Sequence, residues 1–462
     1  MPSTSLRGLL ALGGLPASAA DSVQFSGADP LFRSPYRLAA PGAASIAAAG
    51  LAAADLWALK TGRQQALQVD LVAAAAALRS NHYLKIDGRQ PPRPRDEVTG
   101  FYQLQDQRWI HLHCNFFNLR DRNLAVLGVG PDRAAVAAAV ALWHGEALEQ
   151  AIFDAGGCCA LVRSEAQWLA TPQAAAVAAL PLLEIIKIGE APPEPMPAGD
   201  RPLSGIRALD LTRVLAGPTC GKTLAEHGAQ VLRVSREGLP DSGMFDLDTG
   251  LGKRSTFLDL REPAQAQQLK SLIREADVFS QAYRPQSLDL RGFSPEALAQ
   301  LRPGLVYVTL SAWGHSGPWA LRRGYDTIVQ SANGMAWRPE GQMPAFLPVS
   351  AQDYVAGYLI AYGAMVALGR RAREGGSWLV RISLAGTGHW IRQHGLMAAE
   401  QFNACPGEIS TDQLRNCMTD SDSPAGRLTH LGPIVKMSET APRWDLPAVP
   451  LGSHPPAWLT PV

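Results

Sequence analysis

The chain has 462 residues, more than one compact core ordinarily fills, so several domains with sizeable interiors are expected. Apolar residues make up 47% and charged residues 18%, the balance of a globular protein and not of a disordered one. Forty-two basic against forty-one acidic side chains leave a formal charge of +1, which excludes a net field drawing the protein onto nucleic acid or an anionic membrane and points to a small partner.

The start, Leu6 to Leu12 followed by the small residues Ala17 to Ala20, imitates a secretory signal, but Gly13, Gly14 and Pro16 interrupt it. No stretch reaches the ~18 uncharged apolar residues that span a bilayer. Six cysteines without a paired CxxC spacing read as buried thiols in a reducing, cytoplasmic setting. The alanine-rich first half predicts helices over 43–60 and 133–150 and a strand at 109–114. Four prolines between Pro192 and Pro197 forbid helix and central strand, marking a linker over 189–203. Beyond it, strand-like runs at 206–211, 231–234, 255–260, 278–280 and 305–310 alternate with helical segments such as 263–276 and 294–301. The expected fold class is therefore α/β, with a doubly wound, Rossmann-like parallel sheet that binds ligands at the carboxyl ends of its strands.

A faint internal repeat lays Leu38–Lys60 over Leu347–Gly369, and Gln68-Val69-Asp70-Leu71 over Arg381-Ile382-Ser383-Leu384. Ala216 to Thr223 fits a loose Walker A pattern, but Thr212 to Leu215 separate it from the strand and Pro218 sits inside it, so nucleotide hydrolysis is set aside. Gly128-Val129-Gly130 lacks the third glycine of a dinucleotide loop. His111 and His113 share one strand face without a third ligand, which favours a partly buried, aromatic-like face over a metal site. Asp353 stands in Ser350-x-x-Asp353 ahead of a long apolar helix, and on pattern alone this is a capping box.

Residues 205–229, from Gly205-Ile206-Arg207-Ala208-Leu209-Asp210-Leu211 through Ala216-Gly217-Pro218 to Gly228-Ala229, resemble the opening of the class III CoA transferases. The same family's order continues in Gly252-Lys253-Arg254-Ser255, Leu258-Asp259-Leu260-Arg261, Tyr283-Arg284-Pro285, Gly314-His315-Ser316-Gly317-Pro318 and Gly324-Tyr325-Asp326. The resemblance implies acyl-CoA and a small carboxylic acid as substrates, no permanently bound cofactor and no metal. It makes Asp353 the catalytic nucleophile, Ala216, Gly217 and Tyr325 the oxyanion and acyl pocket, and Arg213, Val214, Leu215, Lys253, Arg254 and Arg284 the CoA-binding set.

The resemblance also orders the chain. Residues 1–80 look like a degenerate copy of the family's post-sheet helical region, 81–188 like its smaller α+β domain, and 204–330 like its CoA-binding sheet domain. Residues 331–400 then carry the Asp353 helix, and 401–462 form a tail expected to pack back on the sheet domain. Ala44 falls in the copy where Asp353 stands. The family's protomers interlock as dimers, so this fused order implies either a homodimer or a monomer that imitates the interlocked pair. Leu215 stands where formyl-CoA transferase-like members carry glutamine, and Lys85 to Pro92 lacks their glycine-rich covering loop. Two further readings follow from such departures: a 2-methylacyl-CoA racemase, disfavoured because Tyr325 replaces its histidine base, and a non-catalytic CoA-binding or assembly protein.

Overall fold

The structure is a computed structural model describing residues 2–92, 95–240 and 242–459. Its central sheet has seven strands: β1 (Leu183–Gly189), β2 (Arg207–Asp210), β3 (Gln230–Ser235), β4 (Lys253–Phe257), β5 (Val278–Gln281), β6 (Val306–Ser311) and β7 (Ser377–Ser383). They lie in the order β4-β3-β2-β5-β6-β7-β1, parallel throughout except for the antiparallel edge pair β7–β1. Val231, Leu232, Val278, Phe279, Val306, Tyr307 and Val308 are all buried, as strands covered on both faces require.

The five strand-like runs of the sequence are β2 to β6. The third begins two residues earlier than expected, because Lys253 and Arg254 are already in ladder register with Val231 and Leu232. The sheet also reaches back before the proline-rich stretch: β1 lies inside the region assigned to the smaller domain, yet pairs with β7. The proline-rich stretch is itself fastened down, since the Arg302 guanidinium donates to both Glu194 carboxylate oxygens at 2.8 and 2.9 Å. Because β3 and β4 lie on one side of β2 and β5 on the other, the crevice over the carboxyl ends of β2 and β5 is the topological switch point.

Four helices position the site: α1 (Ala39–Thr61), α2 (Ala216–Glu226), α3 (Asp326–Ala332) and α4 (Ala351–Glu374). Alanine's high helix propensity and small bulk explain how α1 persists and lies flank to flank along α4, and a 2.6 Å Arg373–Asp55 ion pair ties the two helices. By length and composition α1 could cross a membrane, but 83% of its most apolar window is buried inside the protein. The signal-like start is a helix, Pro2–Gly13, whose Leu6, Leu9 and Leu10 are buried; the Tyr362 hydroxyl of α4 donates to Leu9 O at 2.9 Å.

The repeat has a structural counterpart. After α1 comes the strand Leu67–Asp70, and Asp70 caps the helix Leu71–Ala77 by accepting the Ala73 N–H at 3.0 Å. After α4 comes β7, and Ser383 caps the helix Leu384–Arg392 by accepting the Gly386 N–H, also at 3.0 Å. Residues 98–161 build a separate core on a three-stranded sheet, Gly100–Gln103, Trp109–Leu112 and Cys159–Leu161. The single helix expected over 133–150 is two, Arg133–Val140 and Gly145–Asp154, because His144 turns extended and starts the second.

Candidate active site

Asp353 occupies the first turn of α4 and is 6% exposed. The capping box is not formed: the Ser350 side chain caps nothing, and the Ser350 N–H is taken by Leu78 O at 3.1 Å. The Asp353 N–H is instead satisfied by a second buried carboxylate, Asp326 Oδ2, at 3.0 Å. Asp326 Oδ1 also accepts from Gln330 Nε2, and Gln330 Oε1 accepts the Leu347 N–H at 2.8 Å. Gln352 Nε2 donates to Asp326 O at 3.2 Å and Gln352 Oε1 accepts from Asn333 Nδ2 at 2.7 Å. The strand-to-helix junction before α3 and the start of α4 are thus one hydrogen-bonded unit.

Gly357, one turn beyond Asp353 on the same face, shows what this face meets. A Cβ there would lie 2.6 Å from Ala216 O and 2.6 Å from Thr219 Cβ, so α4 crosses the start of α2 in backbone contact. Gly217 is equally constrained, a Cβ there falling 2.4 Å from Thr212 Cβ. Ala216 and Gly217 stand in the first turn of α2, where amides have no intrahelical acceptor and the helix dipole favours negative charge. The Walker-like loop is this helix itself: Lys222 points to Asp248 at 3.5 Å and over the Trp444 ring, leaving it unavailable to phosphate.

Burial raises the Asp353 carboxyl well above the usual aspartate range, and the neighbouring Asp326 charge adds to the shift. Asp326 is raised to about 6, chiefly by burial, with its hydrogen-bond donors opposing. Two carboxylates this close do not ionise independently, and Asp326, with the donors, ionises first. Tyr325 lies within the field of Asp353 and is stacked on His113, ring centroids 4.2 Å apart. Burial pushes the Tyr325 phenol up and the His113 imidazole down to about 4, so both are neutral near pH 7. His111 packs edge-on against Phe346 at 4.9 Å, so the two histidines form the aromatic face expected of their strand, though more deeply buried than expected.

Arg213, Val214 and Leu215 form the turn from β2 into α2. Val214 is held at φ 70, a conformation that disfavours β-branched residues and marks local strain. Arg213 donates to Pro240 O and lies 5.7 Å over the Phe116 ring. Two members of the expected CoA-binding set are placed elsewhere. Lys253 is 2% exposed, its ammonium donating to Asp210 Oδ2 and Pro218 O at 2.7 Å each, so it is a buried structural ion pair and not a phosphate ligand. Arg254 is buried beneath the C-terminal tail, donating to Ala457 O at 2.6 Å. Arg284 is exposed and lines a smaller cleft with Glu184, His315 and Arg381, whose charges already pair with one another.

Sequence reasoning missed three features. Asp326 stood in the quoted Gly324-Tyr325-Asp326 motif without a role. A cleft of about 470 Å³ over the ends of β2, β3 and β5 is lined by Arg236, Arg261 and Arg291, cations whose convergence depends on the sheet order. A larger cavity of about 610 Å³ joins Val214, Ser350 and the 242–245 loop to Arg95, His113 and Phe116 of the N-terminal half.

Residues 203–421 match the profile of CoA-transferase family III. An acyl-CoA transferase of Gibberella moniliformis is 28% identical over 77% of this chain and 73% of its own length, a span that must extend into the N-terminal half. A probable fatty acyl-CoA transferase of Mycobacterium tuberculosis is 32% identical over 40% of this chain and 50% of its own, and the mouse succinyl-CoA:glutarate CoA-transferase 33% over 38% and 43%. A crystal structure of a hypothetical protein from M. tuberculosis is 31% identical, covering 42% of this chain and 58% of that one, with a TM-score of 0.40. Apart from the fungal protein, the chain thus spans about half the length of these relatives. Residues 203–421, which hold six of the seven strands of the mostly parallel sheet, are thus similar in sequence to CoA-transferase family III.

Proposed function

We propose that the chain is an enzyme moving CoA from an acyl-CoA thioester to a carboxylic acid, with Asp353 as its covalent relay. The observation that carries this is a buried carboxylate in the first turn of α4, one turn before Gly357, where α4 meets the start of α2 in backbone contact. A carboxylate stripped of water is a usable nucleophile, and helix N-termini favour the negative charge that develops beside it.

In this reading an Asp353 oxygen attacks the thioester carbonyl. The C–S bond breaks, giving a mixed anhydride and CoA thiolate. The thiolate attacks the aspartyl carbonyl, releasing the first acid with that oxygen and leaving an aspartyl-CoA thioester. The incoming carboxylate reverses both steps and departs as a thioester. No step changes an oxidation state. Ala216 and Gly217 amides serve the oxyanion, and Arg236 and Arg291 over the β2–β5 crevice are suited to the phosphates of CoA. The N-terminal half supplies in cis a wall that a second protomer would otherwise provide, so specific activity should not fall on dilution.

Incubation with acyl-CoA, trapping with hydroxylamine or borohydride and peptide mapping test the reading: an adduct at Asp353 is expected. CoA bound without any adduct would favour a binding protein. Deuterium uptake at the acyl α-carbon without CoA exchange would favour a racemase, for which His113, with its pKa near 4, is a weak base.

A further inference from the structure

The first turn of α4 is held from two sides. On one, Asp326 Oδ2 accepts the Asp353 N–H. On the other stand residues 78–80 of the N-terminal half: Leu78 O accepts the Ser350 N–H at 3.1 Å, and the Ser80 hydroxyl lies 3.1 Å from that of Tyr354. Both hydroxyls donate to a single oxygen, Asp248 Oδ2, at 2.5 Å from Ser80 and 3.2 Å from Tyr354. The other oxygen, Oδ1, faces Lys222 Nζ at 3.5 Å.

Ser80, Asp248 and Tyr354 are all buried, and they come from three segments: the turn Ser80–His82, the short helix Met244–Asp248 of the sheet domain, and α4. Lys222 adds α2, the helix whose start α4 meets at Gly357. Carboxylate, ammonium and hydroxyls buried together hold one another in place, because any of them left alone would forfeit its solvation without return. Burial and the Asp248 charge keep the Tyr354 phenol well above its ordinary range, so it retains its proton and stays a donor. Tyr354 directly follows Asp353 in a hydrogen-bonded helical turn, and fixing its hydroxyl fixes the rotation from which the Asp353 side chain projects. Reaction geometry is sensitive on this scale, a shift of ~1 Å being enough to cost about a hundredfold in rate.

We infer that Ser80, Asp248 and Tyr354 are positioning residues for Asp353, through which the N-terminal half sets the angle at which the carboxylate meets the thioester. The inference rests on the CoA-transferase reading for the role of Asp353. Steady-state transfer from succinyl-CoA to glutarate by the full chain, with hydroxylamine trapping at Asp353, is the test; kcat is taken per folded molecule, counted by circular dichroism, so that lost stability alone does not move it. Tyr354→Phe and Ser80→Ala should each lower kcat about tenfold or more while KM for succinyl-CoA changes by less than about twofold. Ser80→Thr, which keeps the hydroxyl, should recover most of the rate. The double variant should be little slower than either single one, because both cut the same connection. An unchanged kcat in either single variant, a raised KM at constant kcat, or rate losses that multiply in the double variant would overturn the inference and leave the proposed function standing. A wild type that gives no adduct at Asp353 would refute the proposed function and the positioning role with it.

Discussion

Helices α1 and α4 are two uses of one design. Each is long and rich in small residues, each is followed by a strand, and each strand ends in a side chain that caps the next helix. Each also begins under an aspartate from a preceding segment: Asp29 accepts the Ala39 and Ala40 amides at 3.1 and 3.0 Å, and Asp326 accepts the Asp353 amide at 3.0 Å. The difference is one side chain. At the start of α4 a second carboxylate stands where α1 has the fully buried Ala44. The packing of small residues and the aspartate at the helix start are structural in both places, and the extra acid is the group that the proposed chemistry uses.

The comparison breaks most sharply at that acid. Asp353→Asn keeps the shape of the site and removes the nucleophile, so kcat should fall by more than about a thousandfold while CoA binding, read by calorimetry, persists. The reverse exchange, Ala44→Asp, should create no second site, because the start of α2 is met by the Asp353 face of α4. It buries an uncompensated charge at a fully enclosed position and should cost about 3 kcal/mol or more at neutral pH, measured by denaturant unfolding. Gly357→Ala drives a methyl against Ala216 O and Thr219; it should destabilise by about 1–3 kcal/mol and lower kcat together, since Asp353 shares the displaced face.

Asp326→Asn sharpens the electrostatic half of the comparison. The folded Asp326 carboxyl is raised to about 6 from 3.8, so its contribution to stability is full below pH 3.8 and lost as pH rises through about 6. The variant should therefore be more stable than wild type above pH 6, by about 1 kcal/mol, and not in acid. Because the Asp326 charge raises Asp353, the acid limb of the kcat–pH profile should also move down. The smallest effect belongs to Ser350→Ala. Its side chain caps nothing, so stability should change by less than about 0.5 kcal/mol, where a true capping box would lose more.

Much of the sheet was legible because buried parallel strands are written as short apolar runs between helical segments, and five of the seven strands appear that way. Strand β1 was hidden behind prolines that read as a boundary, and only its pairing with β7 places it in the sheet. Asp353 was singled out through its motif neighbours, whereas pattern alone favoured a cap that the structure does not form. Lys253 and Arg254 looked like phosphate ligands because a sequence does not show what lies above a strand: Asp210 buries one and the tail covers the other. Asp326 and His113 make their contacts with Asp353 and Tyr325 only where segments distant in sequence meet, which no local spacing records.

The central claim is that an oxygen of Asp353 passes through every turnover. Catalysis with a heavy-oxygen-labelled acceptor acid, followed by mass analysis of the peptide holding Asp353, tests it directly. The account expects one labelled oxygen in that side chain, and in no other, after transfer. Product formed at full rate from the labelled acid, with the Asp353 peptide unlabelled, would contradict it.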